Sequence, residues 1–261
     1  MFAFFATSAF LLGAIVGSFL NVVIHRYPRE ESIVFPGSHC PHCNAPIRWF
    51  DNIPLISYLL LGAKCRNCRE PIAARYFLVE LANALFYLAL FIHLGPVVGF
   101  LALAAIISIT IVLIYIDLDI QILPDVIDLP GIAIGIGIGT LRIGDLHPNL
   151  TLSVNLLDSL YGAAFGALLL LALGLAYKLL RQIEGMGLGD VKMLAMIGAV
   201  LGWRAVFPVL FIASVAGAAF GVALAARDRR DLQFPIPFGV FLGIATFAVL
   251  FFGPTLFSWY R

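Results

Sequence analysis

The sequence predicts an all-α polytopic membrane protein of about eight transmembrane helices. Of its 261 residues 62% are hydrophobic and only 12% charged, whereas a soluble domain holds about 45–50% apolar residues. The apolar residues fall into separate runs of the length that crosses a bilayer, about 17–25 residues. These runs are 2–24, 77–95, 97–116, 126–143, 157–180, 190–203, 206–225 and 236–259, the sixth being the shortest. The first run lacks a basic leading segment and continues as Gly17-Ser18-Phe19-Leu20-Asn21, so it reads as a span and not as a cleavable signal.

Basic residues fix an expected orientation, because cytoplasmic loops carry the excess of lysine and arginine. With the N-terminus outside, thirteen of the sixteen basic residues fall on the inner side, and only Arg142, Arg204 and Arg261 fall outside. This puts the loop 25–76, the 117–125 turn and the 184–190 turn in or facing the cytoplasm. Three parts follow: a first transmembrane helix (1–24), a cytoplasmic loop (25–76) and a membrane-embedded bundle (77–261). The net charge of +1 says nothing further about partners.

Small residues four apart recur in the spans, as Gly13 and Gly17, as Gly131, Gly135 and Gly139, as Gly162 and Gly166, and as Gly217 and Gly221. Such spacing lets membrane helices approach closely, so a tightly packed bundle is expected. No internal repeat of the transporter kind is evident.

The loop 25–76 holds all four cysteines, as Cys40-Pro41-His42-Cys43 and Cys65-Arg66-Asn67-Cys68. Two CxxC pairs at this separation read as a four-thiolate zinc site, closed and structural. Disulfides rarely persist in a reducing cytoplasm; redox chemistry and unligated thiols are the rival readings. The stretch Asn52–Leu61 between the pairs is too short to span and lies on the membrane surface or packs within the zinc module. Glu80, early in the second span, either pairs with Arg75 or faces a substrate or methyl-donor pocket.

The third span ends in Ile116-Asp117-Leu118-Asp119-Ile120, followed by Leu123-Pro124-Asp125. Pro124 resets the chain, Asp125 is placed to cap the next helix, and Asp128 to complement its dipole. Two residues on, a helix has turned about 200°, so Asp117 and Asp119 cannot both face the bundle seam. Asp117 is the deeper and the better choice. A second aspartate stands at the end of a glycine-rich turn, Gly185-Met186-Gly187-Leu188-Gly189-Asp190. Carboxylates at the edge of membrane helices are costly and read as functional.

Two carboxylates holding one water can hydrolyse a peptide, one as base and one as acid, because neighbouring like charges share a proton. Asp190 begins its helix and Asp117 ends one, so the helix dipoles make Asp190 the resting carboxylate and leave the proton on Asp117. The glycines before Asp190 permit unusual backbone angles and close approach of an extended peptide. His147 in the outer loop and the charge run Arg227-Asp228-Arg229-Arg230-Asp231 offer no comparable constellation.

At these residues the sequence resembles the bacterial prepilin peptidases, or type IV leader peptidases, membrane aspartyl proteases with a Gly-x-Gly-Asp motif. The resemblance runs through nearly the whole chain. It rests on Gly17 through Pro28, the two CxxC pairs, Asp51-Asn52-Ile53-Pro54, Ala74-Arg75-Tyr76 with Val79-Glu80-Leu81, Asp117 through Asp125, Gly185 through Lys192, and Ile236-Pro237-Phe238-Gly239. It implies that Asp117 and Asp190 are the catalytic pair and that Cys40, Cys43, Cys65 and Cys68 bind zinc. It implies cleavage of type IV prepilins or type II secretion pseudopilins at the cytoplasmic face of the bacterial inner membrane, after a glycine that ends a short basic leader. It further implies methylation of the new N-terminal residue with S-adenosylmethionine. Asp51, Asn52 and Glu80 are candidates for holding that donor, none derivable from the sequence. Two departures stand out: Ile120, where many members have histidine, and a long outer loop near 142–156.

Two other classes are weighed against this one. A membrane thiol-disulfide carrier would expose its cysteines to the oxidising side, contrary to the charge distribution. A proton-coupled transporter would place its carboxylates near the bilayer midplane within inverted repeats. Prepilin substrates and membrane lipid are the expected partners, and nucleic acid is not.

Overall fold

The computed structural model describes residues 1–182, 187–228 and 236–256. Among these residues ten α-helices follow one another: α1 (Phe2–Arg26), α2 (Ile56–Leu60), α3 (Ala74–Leu94), α4 (Val98–Ile120), α5 (Asp125–Thr140), α6 (Ile143–Leu146), α7 (Leu156–Arg181), α8 (Leu188–Leu201), α9 (Trp203–Asp228) and α10 (Phe238–Leu256). The only β-pairing among them is two isolated bridges in the cysteine-bearing loop. All eight apolar runs are helices, close to their expected bounds. Six of them, α1, α3, α4, α7, α9 and α10, have the length and apolarity to cross a membrane. The other two fall short of the expected eight crossings. The 16 residues of α5 and 14 of α8 give rods of about 24 and 21 Å, against a hydrocarbon layer of about 30 Å.

The chain forms two compact units, Met1–Val112 and Leu113–Arg261. In the first, α1 and α3 run antiparallel in close contact. A Cβ at Gly13 would lie 2.8 Å from Cα of Ala84, and one at Gly17 2.7 Å from Cα of Glu80, so only glycine fits at both levels. The contact also buries a polar chain: Asn83 donates to the Gly13 carbonyl at 2.7 Å, Ser108 donates to Asn83 Oδ1 at 3.1 Å, and the Tyr87 and Ser108 hydroxyls meet at 3.0 Å. Buried polar groups are retained only when paired. Here each supplies what the next requires.

In the second unit α8 is the central element, with Val191 and Met193 through Leu201 all buried. Beside it α7 runs antiparallel, Gly162 meeting Gly198 backbone to backbone and Gly166 meeting Leu194. On another side α5 runs parallel, with Gly135 against Ala199. Ser159 joins all three helices, its hydroxyl lying 2.7 Å from the Ala199 carbonyl and 3.2 Å from that of Gly135. The expected small-residue packing is therefore present in spans one, four and five. In α9 it is mixed: a Cβ at Gly217 would make only ordinary contact with Phe241, whereas one at Gly221 would stand 2.7 Å from Ile236 Cδ1.

This packing makes a sharp distinction between glycines. Replacing Gly162 by valine forces α7 and α8 apart and should lower stability by about 3 kcal/mol. Gly137 has open space around its α-carbon, so Gly137→Ala should be neutral or stabilising by up to about 1 kcal/mol. Thermal unfolding of the two purified variants in detergent checks both.

Candidate active site and metal centre

Asp117 lies in the last turn of α4 and is 4% exposed, whereas Asp119 is exposed, as helix phase requires. Asp117 Oδ2 accepts a hydrogen bond from the Val240 backbone N–H at 3.1 Å. Val240 is in the first turn of α10, where backbone donors have no partner within the helix. Gly239 allows this approach, because a Cβ there would stand 2.9 Å from Asp117 Oδ2. The assignment of the shared proton to Asp117 is accordingly incomplete. Asp117 does end α4, but it also faces the N-terminus of α10, and Asp190 lies in the first turn of α8. Both carboxylates meet a helix N-terminus, so helix ends alone do not distinguish them.

Asp117 rests against Gly239 and Asp190 follows Gly189, and both glycines pack on one residue. Between the helices that carry their surroundings sits Leu123, from the connection between α4 and α5. A Cβ at Gly189 would lie 2.8 Å from Cβ of Leu123, and one at Gly239 3.2 Å from its Cδ1. The glycine motif therefore works by lack of bulk. Gly187, the N-cap of α8, has φ −75°, and Gly189 lies within the helix, so neither uses a left-handed backbone. Gly185 and Glu184 lie outside the described residues.

Asp125 does not cap α5. Pro124 occupies that position in extended conformation, and no side chain caps the helix. The Asp125 carboxylate instead pairs with Lys192 Nζ. Lys192 is two residues beyond Asp190, about 200° around α8. The Lys192 side of this turn thus ties α8 to the start of α5, and Asp190 is on the other side. Asp128, expected to complement the dipole of α5, is fully buried, and its carboxylate has no hydrogen-bond partner among the described residues. Neither the Lys192 pair nor the burial of Asp128 was read from the sequence. The available signal was the i,i+3 spacing of Asp125 and Asp128, which puts both on the face that α8 covers.

In the other unit the four cysteine sulfurs lie within 4.8 Å of one another. The two CxxC turns are built alike. Cys40 N–H donates to Ala45 and Cys65 N–H to Glu70, and the residue four beyond each first cysteine, Asn44 or Arg69, is in the left-handed region. The Cys40 and Cys68 sulfurs are 3.8 Å apart, close to the edge of about 3.8 Å that a tetrahedron of metal–sulfur bonds of about 2.3 Å requires. The four thiols form no disulfide. Backbone N–H of Ala45 and the Asn67 side chain draw the Cys43 thiol down to about 6, and the N–H groups of Cys68 and Asn67 lower Cys65. Burial and the three neighbouring sulfurs push Cys68 the other way, up to about 12, as expected where four thiols share one small space with no cation among them; thiolates are the metal-binding form. The group can hold a metal ion.

Asp51 and Glu80 are both engaged around this module. Arg66, inside the second CxxC turn, grips Asp51 through Nε and an Nη at 2.6–3.0 Å, and this guanidinium holds the carboxyl below the usual carboxylate range. Glu80 accepts the Leu55 N–H at 2.8 Å and interacts with the Ser18 hydroxyl. Leu55 has φ +62°, a costly conformation for a branched side chain, and the Glu80 bond helps hold it. Within 52–61 only Ile56–Leu60 are helical, as the short α2, with Leu59 and Leu60 exposed.

Comparison with known proteins places these features. Residues 11–94 match the bacterial peptidase A24 N-terminal domain and residues 103–222 the type IV leader peptidase family. A prepilin leader peptidase/N-methyltransferase of Aeromonas hydrophila is 41% identical over 276 residues, spanning 96% of this chain and 92% of the relative. Proteins of the same description from Aeromonas salmonicida and Pseudomonas aeruginosa are 39% and 37% identical, each spanning at least 95% of this chain and 91% of the relative. No solved structure matches. With both family models matched in order and full-length relatives near 40% identity, the chain belongs to the type IV leader peptidase family.

Proposed function

We propose that the chain is a prepilin leader peptidase and N-methyltransferase of the bacterial inner membrane, with Asp117 and Asp190 as its catalytic pair facing the cytoplasm. The observation that carries this reading is that Gly239, which lies against Asp117, and Gly189, which precedes Asp190, pack on the same side chain, Leu123. The Val240 N–H engages Asp117 Oδ2, which fixes the carboxylate and leaves Oδ1 for water. One ionised carboxylate takes a proton as the water attacks the scissile carbonyl, and the other, protonated, gives its proton to the carbonyl oxygen. Proton passage to the leaving amine then breaks the C–N bond and restores the shared proton. The excess of basic residues in the segments flanking the pair supports the cytoplasmic orientation.

The names of the full-length relatives support prepilins as substrates, and the resemblance in sequence extends the proposal to type II secretion pseudopilins. The names also support a second reaction, in which S-adenosylmethionine supplies the methyl group for the new N-terminal amine. The four cysteines fit zinc: thiolate-only ligation with no open position is the structural form of that site. In this reading the zinc module, held by Glu80 and the Asp51–Arg66 pair, receives the leader or serves methyl transfer.

Asp117→Asn and Asp190→Asn should each lower leader cleavage by about 1,000-fold or more, while methylation of an already cleaved peptide continues. Incubation with a prepilin peptide and S-adenosylmethionine, followed by product mass, reads both activities, and cleavage at the wild-type rate by either variant overturns the pair. Metal analysis of the purified protein should return one zinc per chain. Cys65→Ser should lose it and open the segment between the CxxC turns to limited proteolysis.

A further inference from the structure

We infer that α2 (Ile56–Leu60) is an interfacial membrane anchor, seated in lipid beside the first turns of α3, and that it carries the chain between the two CxxC turns down to the bilayer. Its depth follows from α3. The 21 residues of α3 make a rod of about 32 Å, against a hydrocarbon layer of about 30 Å. A helix with so little length to spare has its first turn at the hydrocarbon boundary, and tilt carries that turn deeper. The Tyr58 ring of α2 stacks on Phe77, with centroids 5.2 Å apart. The Leu55 N–H, just before α2, meets the Glu80 carboxylate at 2.8 Å. Phe77 and Glu80 stand three and six residues into α3, about 5 and 9 Å from its start. A helix lying in the boundary between headgroups and acyl chains sits about 5–10 Å deep. The first helix agrees: Gly17 packs against the Glu80 backbone, and Arg26, the basic end of α1, is nine residues further on, about 14 Å.

The face that α2 turns outward is the one lipid requires. Ile56, Leu59 and Leu60 share one side of the helix, and they are 52%, 66% and 83% exposed. Tyr58 is on the opposite side, against α3, and Ser57 is buried. The exposed face continues an apolar surface already assigned to lipid, that of the spanning helices, where Leu78 and Leu85 of α3 and Ile15 and Phe19 of α1 are exposed as well. The backbone is also prepared for lipid, where an unpaired polar group is costly. The Ile53 N–H donates to Ser57 Oγ at 3.0 Å, and the Ser57 hydroxyl donates to the Phe50 carbonyl at 2.8 Å. The N–H groups of Leu61, Gly62 and Ala63 donate to the carbonyls of Ser57, Leu59 and Tyr58. Glu80 takes the Leu55 N–H, so the bond that holds the left-handed Leu55 also sets the level of α2.

The test puts a single tryptophan on this face. The chain has three tryptophans, and Leu60→Trp is combined with Trp49→Phe, Trp203→Phe and Trp259→Phe in the full chain, reconstituted in phosphatidylcholine vesicles. Bromine on the acyl chains, near their headgroup end, should quench the indole emission by about half or more, as expected for a group at the acyl boundary. Iodide in the surrounding water should leave the emission nearly unchanged. Leu59→Trp in the same background gives the same readout should Leu60→Trp fail to fold. Emission that bromine leaves unchanged overturns the inference: with quenching by iodide the face lies in water, and without it a second copy or another protein covers the face.

Discussion

The backbone contact between Gly162 and Gly198 is the constraint on which the second unit depends. With no Cβ on either residue, α7 and α8 approach until their carbonyls are the limiting atoms. In a bilayer this closeness matters more than in water, because lipid tails are as apolar as side chains and association rests on packing and hydrogen bonds. The same contact sets the level of α8 relative to its neighbours. Ser159 can then reach the Ala199 and Gly135 carbonyls together. Once α8 is fixed along its length, the position of its first turn follows, and with it Asp190 and Lys192. The first turn of α8 is thus placed by a glycine contact about two helical turns away.

Much of this arrangement was legible in the sequence, and for a physical reason. Apolar runs, helix phase and small-residue spacing are local properties, and they were enough to separate Asp117 from Asp119 and to expect close helix packing. The four-cysteine group was legible because CxxC is a local turn that presents two sulfurs together. What escaped depends on partners far apart in sequence. The Val240 donor to Asp117 lies 123 residues away, and it changes the electrostatic setting that the end of α4 alone suggests. Asp125 looked like a cap because capping is the local use of an aspartate after proline, yet Lys192, 67 residues on, takes it. Local rules gave way wherever a nonlocal charge or donor was available.

The first unit follows the same logic with different means. Its polar loop cannot draw on a large apolar core, so it is fastened at a few points. The Arg66 fork on Asp51 locks the second CxxC turn to the short helical turn at Trp49–Asn52. Glu80 reaches from α3 to the strained Leu55, while Gly17 of α1 packs against the Glu80 backbone. Arg26 at the end of α1 donates to the Ser32 and Gly37 carbonyls. A metal ion at the four sulfurs would close the remaining freedom, since it joins two turns separated by more than twenty residues.

The shortness of α8 is best understood together with what covers its ends. A rod of about 21 Å cannot carry both termini to water across a hydrocarbon layer of about 30 Å, so the polar backbone at one end must be satisfied by protein. At the C-terminal end it is: Ser153 N–H donates to the Val200 carbonyl, and the Gly202 N–H to that of Gly198. Thr151 of the same loop donates to Leu250 of α10, so the 151–153 segment seals that end of the bundle. The N-terminal end is left to a different set of groups, with Leu188 exposed and Asp190 beside it. A helix sealed at one end and open at the other needs no full span. Its length is set by the distance from that seal to the exposed turn that carries Leu188 and Asp190.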